Sequence, residues 1–516
     1  MWQSSLMFAI LTLLCLPFLD LDVTHTSPTS ELKLMFFGLI RPNFIIPGLV
    51  NSLVNTIVFA VQAVAFSVVI GFFLAQLYRF QGIRFLMSFL RSIHELFWAL
   101  ILIQFFDLTS LTGVLALAIP FSATFARVFA EIQQETSKKN YHQIKGSHFS
   151  RFIYTTFPLA LPRLANYCRY RLECALRASV VLGFIGLPTI GFQLEGYLKL
   201  GQYQEVSALI FIFIGLVLTM RLWANRFALP ILFLFSIIWL PPTTSTTNHE
   251  KNDHSQIDES VWKMDNVSRF IDDITPAPLK NTDDINDETS ETITTTTALW
   301  QWFYFIFETQ ILPGLGYTLL LGQFAFAFSA FLGLLLFPVL SKHMIKQKHY
   351  RRIGNLALTS LRCLPELLLA FIALIILGPS LLPGILALGI HNGVLIAHLV
   401  GLHSNEFNLR NDKGSAPNTY FFELLPRIYG QFLSFTSYRG ETILRETAIL
   451  GILGIPTLGF FIDSAFEEFR LDRAVLLILA SALLNIFAEI VATKCRKYIH
   501  AHKPSQAESS PVLNRN

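Results

Sequence analysis

The sequence predicts an all-α, polytopic membrane protein with about twelve transmembrane helices, arranged as two parallel repeats of six. Charged residues make up only 14% of the 516 residues, whereas soluble proteins carry about 25%. Apolar runs of about 20 residues, the length that a helix needs to cross a bilayer, recur along the chain. Two stretches, 170–192 and 438–460, also repeat each other at a spacing of 268 residues. The chain is therefore predicted to be a membrane protein formed by tandem duplication.

Polar residues and turn formers carry the repeat, so apolar composition alone does not explain it. The two stretches read YRLECALRASVVLGFIGLPTIGF and YRGETILRETAILGILGIPTLGF and share 12 of 23 positions. The shared charged positions are Arg171/Arg439, Glu173/Glu441 and Arg177/Arg445. We predict a first unit at 1–226 with its core at 47–225, a second at 227–497 with its core at 313–497, and a tail at 498–516.

Each half yields six predicted spans in the same order. In the first half they are 6–19, 48–77, 86–106, 111–130, 165–187 and 205–222. In the second half they are 227–240, 314–340, 360–378, 381–400, 432–455 and 474–491. A cleaved signal peptide is the alternative for 6–19, but no basic segment precedes it and 227–240 is an internal counterpart. An even number of spans inserts both copies the same way up, so parallel repeats are expected.

Basic residues set the predicted orientation. Lys and Arg concentrate in alternate short loops, at 79–91, 138–151, 221–226, 342–352, 410–427 and 494–497. Because basic loops stay on the cytoplasmic side, these loops and both termini are predicted to be cytoplasmic.

The long connection at 241–297 then lies on the opposite side. It is rich in Thr and holds 12 acidic and 4 basic residues. This composition is typical of a flexible linker without its own core. The loop is interpreted as a tether between the halves, and an acidic surface for a partner is the alternative.

A glycine- and proline-rich segment ends the fifth span of each half. Three glycines and a proline fall within ten residues, which predicts a helix that ends in a tight, buried turn. The members are Gly183, Gly186, Pro188 and Gly191, and Gly451, Gly454, Pro456 and Gly459. Two interpretations remain open: a gate lining a central path, or a rigid helix-packing motif.

Two long cytoplasmic loops also repeat in register. Lys145, Gly146 and Ser147 precede Pro158, as Lys413, Gly414 and Ser415 precede Pro426. The pattern predicts a short surface helix, a turn and a restart into the membrane. Plain connections have about two to eight residues, so a longer, duplicated pair indicates docking of something two-fold in the cytoplasm.

Three features together resemble an ABC importer permease. They are RETAILGILGIPTLGF at 445–460, the PEL segment at 365–367, and a cytoplasmic loop with a central Gly and a terminal Leu-Pro. The resemblance is to the binding-protein-dependent inner-membrane component family, and within it to phosphonate-type permeases. It covers roughly 47–225 and 313–497, so that two permease units are fused in one chain.

The resemblance implies a type I-like transmembrane domain in the bacterial inner membrane. It further implies two cytoplasmic ATP-binding subunits, docked on the residues named in the two long loops, and an extracytoplasmic substrate-binding protein. The cargo would be a small anion such as a phosphonate or phosphate-like compound. The chain departs from the family pattern at Asn140 and Asn408, where the coupling loops usually carry a Glu, and at His94, which stands where the second half has Pro365.

Conserved spacing also predicts ion pairs. Glu173 and Arg177 lie four residues apart, as do Glu441 and Arg445, so each pair shares a helix face. Structural pairs are one interpretation. The other is a translocation path in which Arg171, Arg177, Arg439 and Arg445 attract an oxyanion, because guanidinium matches phosphoryl oxygens bidentately. Glu95 and Glu366 are expected to bond to helix ends.

No catalytic, cofactor or nucleic-acid site is predicted. The five cysteines lack metal-ligand spacing, and His391 and His398 have no third ligand at helical spacing. The chain contains no phosphate-binding GxxxxGK[ST] motif, so ATP hydrolysis is expected in separate subunits. An ion-coupled secondary transporter with twelve helices remains the alternative, and a non-transporting membrane scaffold is a third option.

Overall fold

The computed structural model describes residues 10, 12–20, 27–140, 147–225, 227–239, 264–280, 295–407, 409 and 415–501. Over these residues the protein consists of helices and connections without a β-strand. The predicted all-α class is confirmed.

Eight principal helices make up the first half. They are α1 (Pro28–Ile40), α2 (Leu49–Leu77), α3 (Gln81–Ser92), α4 (Glu95–Phe106), α5 (Ser110–Asn140), α6 (Phe157–Leu182), α7 (Ile190–Lys199) and α8 (Tyr203–Leu218).

Ten principal helices make up the second half. They are α9 (Ala228–Trp239), α10 (Met264–Ile274), α11 (Thr295–Ile306), α12 (Leu312–Leu336), α13 (Lys348–Cys363), α14 (Glu366–Leu377), α15 (Leu382–Ser404), α16 (Leu425–Glu446), α17 (Leu458–Glu467) and α18 (Leu471–Ala501).

Equivalent glycines fix the register between the halves. Gly71 of α2 lies against Phe125 and Ser122 of α5, so closely that a Cβ would meet the Phe125 side chain. Gly333 of α12 lies in the same way against Ile396 and a backbone carbonyl of α15. Position 396 equals 125 plus 271, the spacing at which the sequences of these two helices align. Position n of α5 therefore corresponds to position n + 271 of α15.

The predicted third span of each half is not a single helix. Segment 86–106 is divided between α3 and α4, which meet at 91°, and segment 360–378 is divided between α13 and α14, which meet at 87°. The break falls at His94 in one half and Pro365 in the other, both with extended backbone. Proline forces the preceding residue out of the helical region, and the His94 ring caps α4 by accepting a hydrogen bond from the Leu96 N–H at 3.1 Å. We call these two bends the elbows.

Each elbow helix packs into the opposite half. Leu96 and Phe97 of α4 are buried in a cluster with residues of α17 and α18. Leu368 and Phe371 of α14 are buried with the main cluster of the first half. The two halves are thereby interlocked through the segments that follow the elbows.

The segments at the start of each half also cross over. Gln62 of α2 donates a hydrogen bond from Nε2 to the Ser236 carbonyl of α9 at 2.8 Å. Conversely, Gln323 of α12 donates to the hydroxyl of Thr12 at 3.1 Å, and Cys15 packs against a cluster of the second half. Of the predicted first span at 6–19, residues 10 and 12–19 are described.

Prolines that were predicted to start helices lie inside longer ones. A π-helical turn directly precedes Pro158, Pro313 and Pro426, at Phe152–Thr156, Phe307–Ile311 and Thr419–Leu424. Proline has no N–H to donate and clashes with the carbonyl four residues earlier, and the wider turn accommodates both effects. The predicted turns before Pro158 and Pro426, and the predicted helix start at Pro313, are therefore wrong; the helical span containing Pro313 runs from Thr296 to Leu340.

The long connection is partly ordered against the membrane domain. Phe270 of α10 packs against Phe105 of α4 with ring centroids 4.3 Å apart and the rings tilted by 48°, and Phe270 and Ile274 pack against an apolar cluster mainly of the second half. This part of 241–297 departs from the predicted flexible tether, because α10 places its apolar side chains on one face. Its flanks at 240–263 and 281–294 lie outside the described residues.

Length and composition identify five single helices able to cross a membrane, and up to nine spans if each bent pair is one span. Two shorter apolar helices, α8 and α9, add to these. The described residues therefore form a multi-pass membrane protein with fewer identified spans than the twelve predicted.

A Cβ at the start of α7 should disrupt the turn before it. In Gly191→Ala the new methyl group would overlap the Val180 carbonyl, and in Gly459→Ala it would overlap the Ala448 carbonyl. We expect each change to lower the free energy of unfolding by about 3 kcal/mol, the upper part of the overpacking range, because backbone must move. Unfolding of the purified chain by SDS in mixed micelles measures the loss.

Gly196→Ala is the matched control, since Gly196 lies in the same helix with nothing within 4 Å of an added Cβ. It should be neutral or stabilise the chain by up to about 1 kcal/mol. Equal stability of all three variants would contradict the close backbone contact.

Candidate functional site

The glycine-rich segments form two equivalent turns where α6 and α16 end. A short 3-10 segment follows each helix, and then Gly186 and Gly454 adopt left-handed backbone with φ of 97° and 80°. A threonine hydroxyl closes each turn: Thr56 Oγ1 accepts from the Ile190 N–H at 3.0 Å, and Thr318 Oγ1 accepts from the Leu458 N–H at 2.9 Å. The two turns have the predicted shape, and a gating role for them stays a prediction.

The proline and the remaining glycines stabilise these turns in different ways. The Pro188 carbonyl accepts a hydrogen bond from Asn55 Nδ2 at 3.0 Å, which ties the turn to α2. Gly183 and Gly451 leave room for the backbone of the helix that follows, because a Cβ there would overlap the Phe192 and Phe460 N–H groups. Each turn is thus held by backbone contacts that a side chain would prevent.

A polar cavity of about 120 Å³ lies between the halves. Its walls come from α3 to α6 on one side and from α14 and α16 on the other. The charged residues lining it are Arg91, Glu95, Arg171, Arg177, Glu366, Arg439, Arg445 and Glu446. All four arginines predicted as oxyanion attractors therefore line one space, and guanidinium groups outnumber carboxylates.

Two of these arginines are neutralised by buried partners. Nη1 of Arg177 lies 2.8 Å from Nε2 of His391 and 3.9 Å from a carboxylate oxygen of Glu366. The same His391 nitrogen lies 3.1 Å from Glu366, so the three side chains form one cluster. Arg177 belongs to the first half and the other two residues to the second, so this cluster joins the halves.

Arg439 is neutralised within the second half. Its Nε donates to Asn392 Oδ1 at 2.7 Å, and its Nη2 lies 3.9 Å from a carboxylate oxygen of Glu446. Asn392 Nδ2 in turn donates to Glu446 at 3.0 Å. The three residues form a closed, buried network.

The other two arginines have contacts of a different kind. Nε of Arg171 donates to the Tyr167 hydroxyl at 3.0 Å, and its guanidinium lies over the Phe121 ring at 5.0 Å. Arg445 donates from Nη1 to the Arg91 carbonyl at 3.1 Å. Neither has a carboxylate within salt-bridge distance among the described residues.

The predicted ion pairs within one helix are wrong. Glu173 pairs with Arg362 across the halves at 3.0 Å, and not with Arg177. Glu441 lies 3.8 Å from Arg496 of α18, and not beside Arg445. Spacing of four residues permits a pair on one face, but partners on facing helices compete for the same side chain, and here they replace the local contact.

A further cross-half pair anchors the first elbow. Arg91, at the end of α3, pairs with Glu489 of α18, which also lies 2.8 Å from Nη1 of Arg127. Arg362 occupies the equivalent position at the end of α13 and pairs with Glu173. Each elbow is therefore fixed to the opposite half by an arginine.

Sequence reasoning missed His391, Asn392 and Glu446 as members of the site. From its spacing alone, His391 invites only the question of a metal site, and Glu366 is expected at a helix end. The alignment of the two halves contains a signal for these residues. At a spacing of 271, the polar residues His391 and Asn392 stand where the first half has Pro120 and Phe121. Among the described residues, no three His, Cys, Asp or Glu side chains form a group that could hold a metal ion.

The coupling segments are described only in part. Lys145, Gly146, Lys413 and Gly414 lie outside the described residues. Ser147 and Ser415 immediately precede the short helices His148–Arg151 and Ala416–Asn418, and each π-helical turn then leads into α6 or α16. At equivalent places in these turns, Tyr154 is 81% exposed and Phe422 is 78% exposed.

Comparison with known proteins identifies transport permeases. The phosphite transport system permease protein PtxC of Stutzerimonas stutzeri is 30% identical over 177 residues, which are 33% of this chain and 64% of that protein. The phosphate-import permease protein PhnE of Mycolicibacterium smegmatis is 22% identical over 414 residues, 76% of this chain and 73% of that protein. The predicted resemblance to this class of permease is confirmed, and the second match is long enough to take in most of both halves.

A third relative extends the same class. The phosphite transport system permease protein HtxE of Stutzerimonas stutzeri is 30% identical over 133 residues. These residues are 25% of this chain and 51% of that protein. The match thus spans about half to two thirds of the two phosphite-system relatives. No family model matches the chain, and no solved structure matches it.

The cross-half pair of Arg362 and Glu173 should contribute to stability. Both side chains are largely buried, with 19% and 14% exposed. Arg362→Met or Glu173→Gln leaves one partner unpaired, and we expect a loss of about 3 kcal/mol in the free energy of unfolding, the lower end for buried pairs. The double variant should lose clearly less than the sum, and SDS unfolding of the four proteins measures the coupling.

The exposed pair of Arg163 and Glu135, 2.7 Å apart and both more than half exposed, is the control. Its Met/Gln cycle should show a coupling below about 1 kcal/mol. Strictly additive losses at Arg362 and Glu173 would show that the contact does not join the halves.

Proposed function

We propose that this chain is the membrane-spanning permease subunit of an ATP-binding cassette importer that moves a small phosphorus oxyanion into the cytoplasm. The observation that carries the proposal is the polar cavity between the halves, with the guanidinium groups of Arg171, Arg177, Arg439 and Arg445 in its walls. The curated relatives are permease proteins of phosphite and phosphate transport systems. Two permease units in one chain supply both sides of the path.

The chemistry of the cavity suits a phosphorus oxyanion. A guanidinium presents its N–H groups in a planar fork that matches two phosphoryl oxygens at once. Removal from bulk water strengthens this attraction, because the effective dielectric falls. An excess of arginine over carboxylate in a membrane interior would therefore select an anion and exclude cations.

The geometry of α6 and α16 supports alternating access. Each helix begins at the π-helical turn of a coupling segment and ends at a glycine-rich turn. A helix of 26 residues, the length of α6, spans about 39 Å, so a push at one end moves the other end almost rigidly. In this mechanism two ATP-binding subunits act on the coupling segments, and the turns at Gly186 and Gly454 open and close the path.

Three further assignments complete the proposal. ATP hydrolysis takes place in the partner subunits, which dock at Ser147, Pro158, Ser415 and Pro426 and at the lysines and glycines before the two serines. An extracytoplasmic binding protein delivers the cargo to the opposite face. Both termini lie in the cytoplasm, as the distribution of basic residues predicts.

Uptake measurements separate this proposal from an ion-coupled transporter. In cells that lack the chain, we expect energised uptake of labelled phosphate, phosphite or methylphosphonate to fall, and to return when the chain is restored. Collapse of the proton gradient by a protonophore, with ATP maintained, should leave the uptake largely intact. Abolition by the protonophore alone would support the ion-coupled alternative, and unchanged uptake on deletion for all three anions would overturn the proposal.

Exposed rings on the coupling segments should contribute to ATPase docking. We expect the double change Tyr154→Ser and Phe422→Ser to remove the ATP-binding subunits from the affinity-purified complex, because large exposed aromatic residues commonly anchor interfaces. The change should leave the permease folded, since both rings are solvent-exposed. Copurification followed by subunit quantification measures the effect.

Phe469→Asn provides the matched control. Phe469 is 82% exposed and lies in the turn between α17 and α18, beyond the far end of α16 from its coupling segment. Its φ of 55° suits asparagine. If the Tyr154/Phe422 variant retained the ATP-binding subunits, these rings would not be part of the docking surface.

A further inference from the structure

The cavity arginines are duplicated, but their surroundings are not. At the spacing of 268, Arg171 corresponds to Arg439 and Arg177 corresponds to Arg445. Two of the four have buried acidic or amide partners, and two do not. The difference traces to a few positions at which the halves have diverged.

Arg439 and Arg171 show the first divergence. Arg439 contacts Asn392 and Glu446. In the first half, Phe121 stands at the position of Asn392 and Ala178 at the position of Glu446. Arg171 accordingly lies over the Phe121 ring and lacks both the amide and the carboxylate.

Arg177 and Arg445 show the second divergence, in the opposite sense. Arg177 contacts His391 and Glu366. The position equivalent to His391 is Pro120, which offers no side-chain polar atom. Arg445 retains a hydrogen bond to the Arg91 carbonyl, a neutral acceptor.

We infer that Arg171 and Arg445 form the anion-binding subsite of the cavity, whereas Arg177 and Arg439 are held by their protein partners and position the walls. This inference rests on the proposed transport function and deepens it. Among the described residues neither guanidinium lies within salt-bridge distance of a carboxylate, and Glu95, the counterpart of Glu366, lies beside His94 at 3.4 Å in the same cavity wall. The two guanidinium groups fit a tetrahedral phosphorus oxyanion with up to two negative charges, such as phosphate, phosphite or an alkylphosphonate.

The surroundings of the subsite fit this class of ligand. Tyr170 and Tyr438 line the same cavity and carry hydroxyl groups that can donate to an anion. Thr124 and Thr442 also line it, but their hydroxyls already donate to the Pro120 and Tyr438 carbonyls at 2.9 and 3.3 Å. The aromatic rings beneath Arg171 hold the guanidinium without neutralising it, because a ring supplies only a weak quadrupole. The arginine is fixed in place and still free to pair with an anion.

Binding of labelled inorganic phosphate to the full chain in lipid nanodiscs tests the assignment. Arg171→Gln and Arg445→Gln should each raise the Kd by about 10- to 100-fold, the effect of one lost charge-assisted contact in a desolvated site. Arg171→Lys and Arg445→Lys keep the charge and lose the fork, and should raise the Kd by less.

The most specific variant introduces the protein partners of Arg439 at the equivalent positions around Arg171. The double change Phe121→Asn and Ala178→Glu places the surroundings of Arg439 around Arg171 and leaves that arginine in the chain. It should weaken phosphate binding as strongly as Arg171→Gln does. Arg79→Gln, at an exposed arginine outside the cavity, is the control and should bind phosphate normally.

The outcomes are decisive in both directions. Weaker phosphate binding by the glutamine variants and by the Phe121→Asn/Ala178→Glu variant, with normal binding by Arg79→Gln, supports the subsite. Wild-type affinity in the folded variants overturns it, as does absence of phosphate, phosphite and methylphosphonate binding by the wild-type chain. If a glutamine variant does not fold, the lysine variants decide by the same comparison.

The same variants distinguish failure of the subsite from failure of the proposed function. If the wild type shows ATP-dependent uptake and Arg171→Gln and Arg445→Gln take up the anion at the same rate, the subsite alone is overturned. If the wild type shows no ATP-dependent uptake, the proposed function is overturned.

Discussion

Buried arginine charge is the constraint on which this structure depends. A guanidinium removed from water costs several kcal/mol unless an anion or strong acceptors take the place of the solvent. In this protein the compensation comes largely from the other half of the chain: Arg91 pairs with Glu489, Arg362 with Glu173, and Arg177 with Glu366. Because these partners belong to different repeats, these three arginines are neutralised only in the interlocked arrangement, whereas Arg439 pairs with Glu446 inside the second half.

Apolar packing reinforces this dependence on both halves. The helix after each elbow lies in the core of the opposite half. The segment that starts each half lies against α2 or α12 of the other half. A membrane provides little hydrophobic driving force between helices, so close packing and polar contacts must supply the association. Within each half, Gly71 and Gly333 allow the same closeness, of α2 to α5 and of α12 to α15.

Sequence patterns predicted much of the fold but little of its charge pairing. Hydropathy located most apolar helices, and identical spacing of Gly186 and Gly454 located the two turns, because local composition determines both. The elbows were missed because an apolar run has the same length whether or not its backbone bends at His94. Pairing of Glu173 and Arg177 was predicted from helical spacing, yet facing helices decide which partner a long side chain takes, and no local pattern encodes that choice. The continuous helices through Pro158 and Pro426 were missed because a π-helical turn depends on the helix that accommodates it.

Fusion of two repeats in one chain permits an asymmetry that identical subunits do not allow. In a homodimer, a change that neutralises one copy of an arginine neutralises both copies. Here Asn392 and Glu446 surround Arg439, while Phe121 and Ala178 surround its equivalent, so one copy can support the wall and the other can remain open to an anion. The same logic applies to His391 and Pro120 beside Arg177 and Arg445. Divergence at three pairs of positions, Asn392/Phe121, Glu446/Ala178 and His391/Pro120, thus gives equivalent arginines different surroundings.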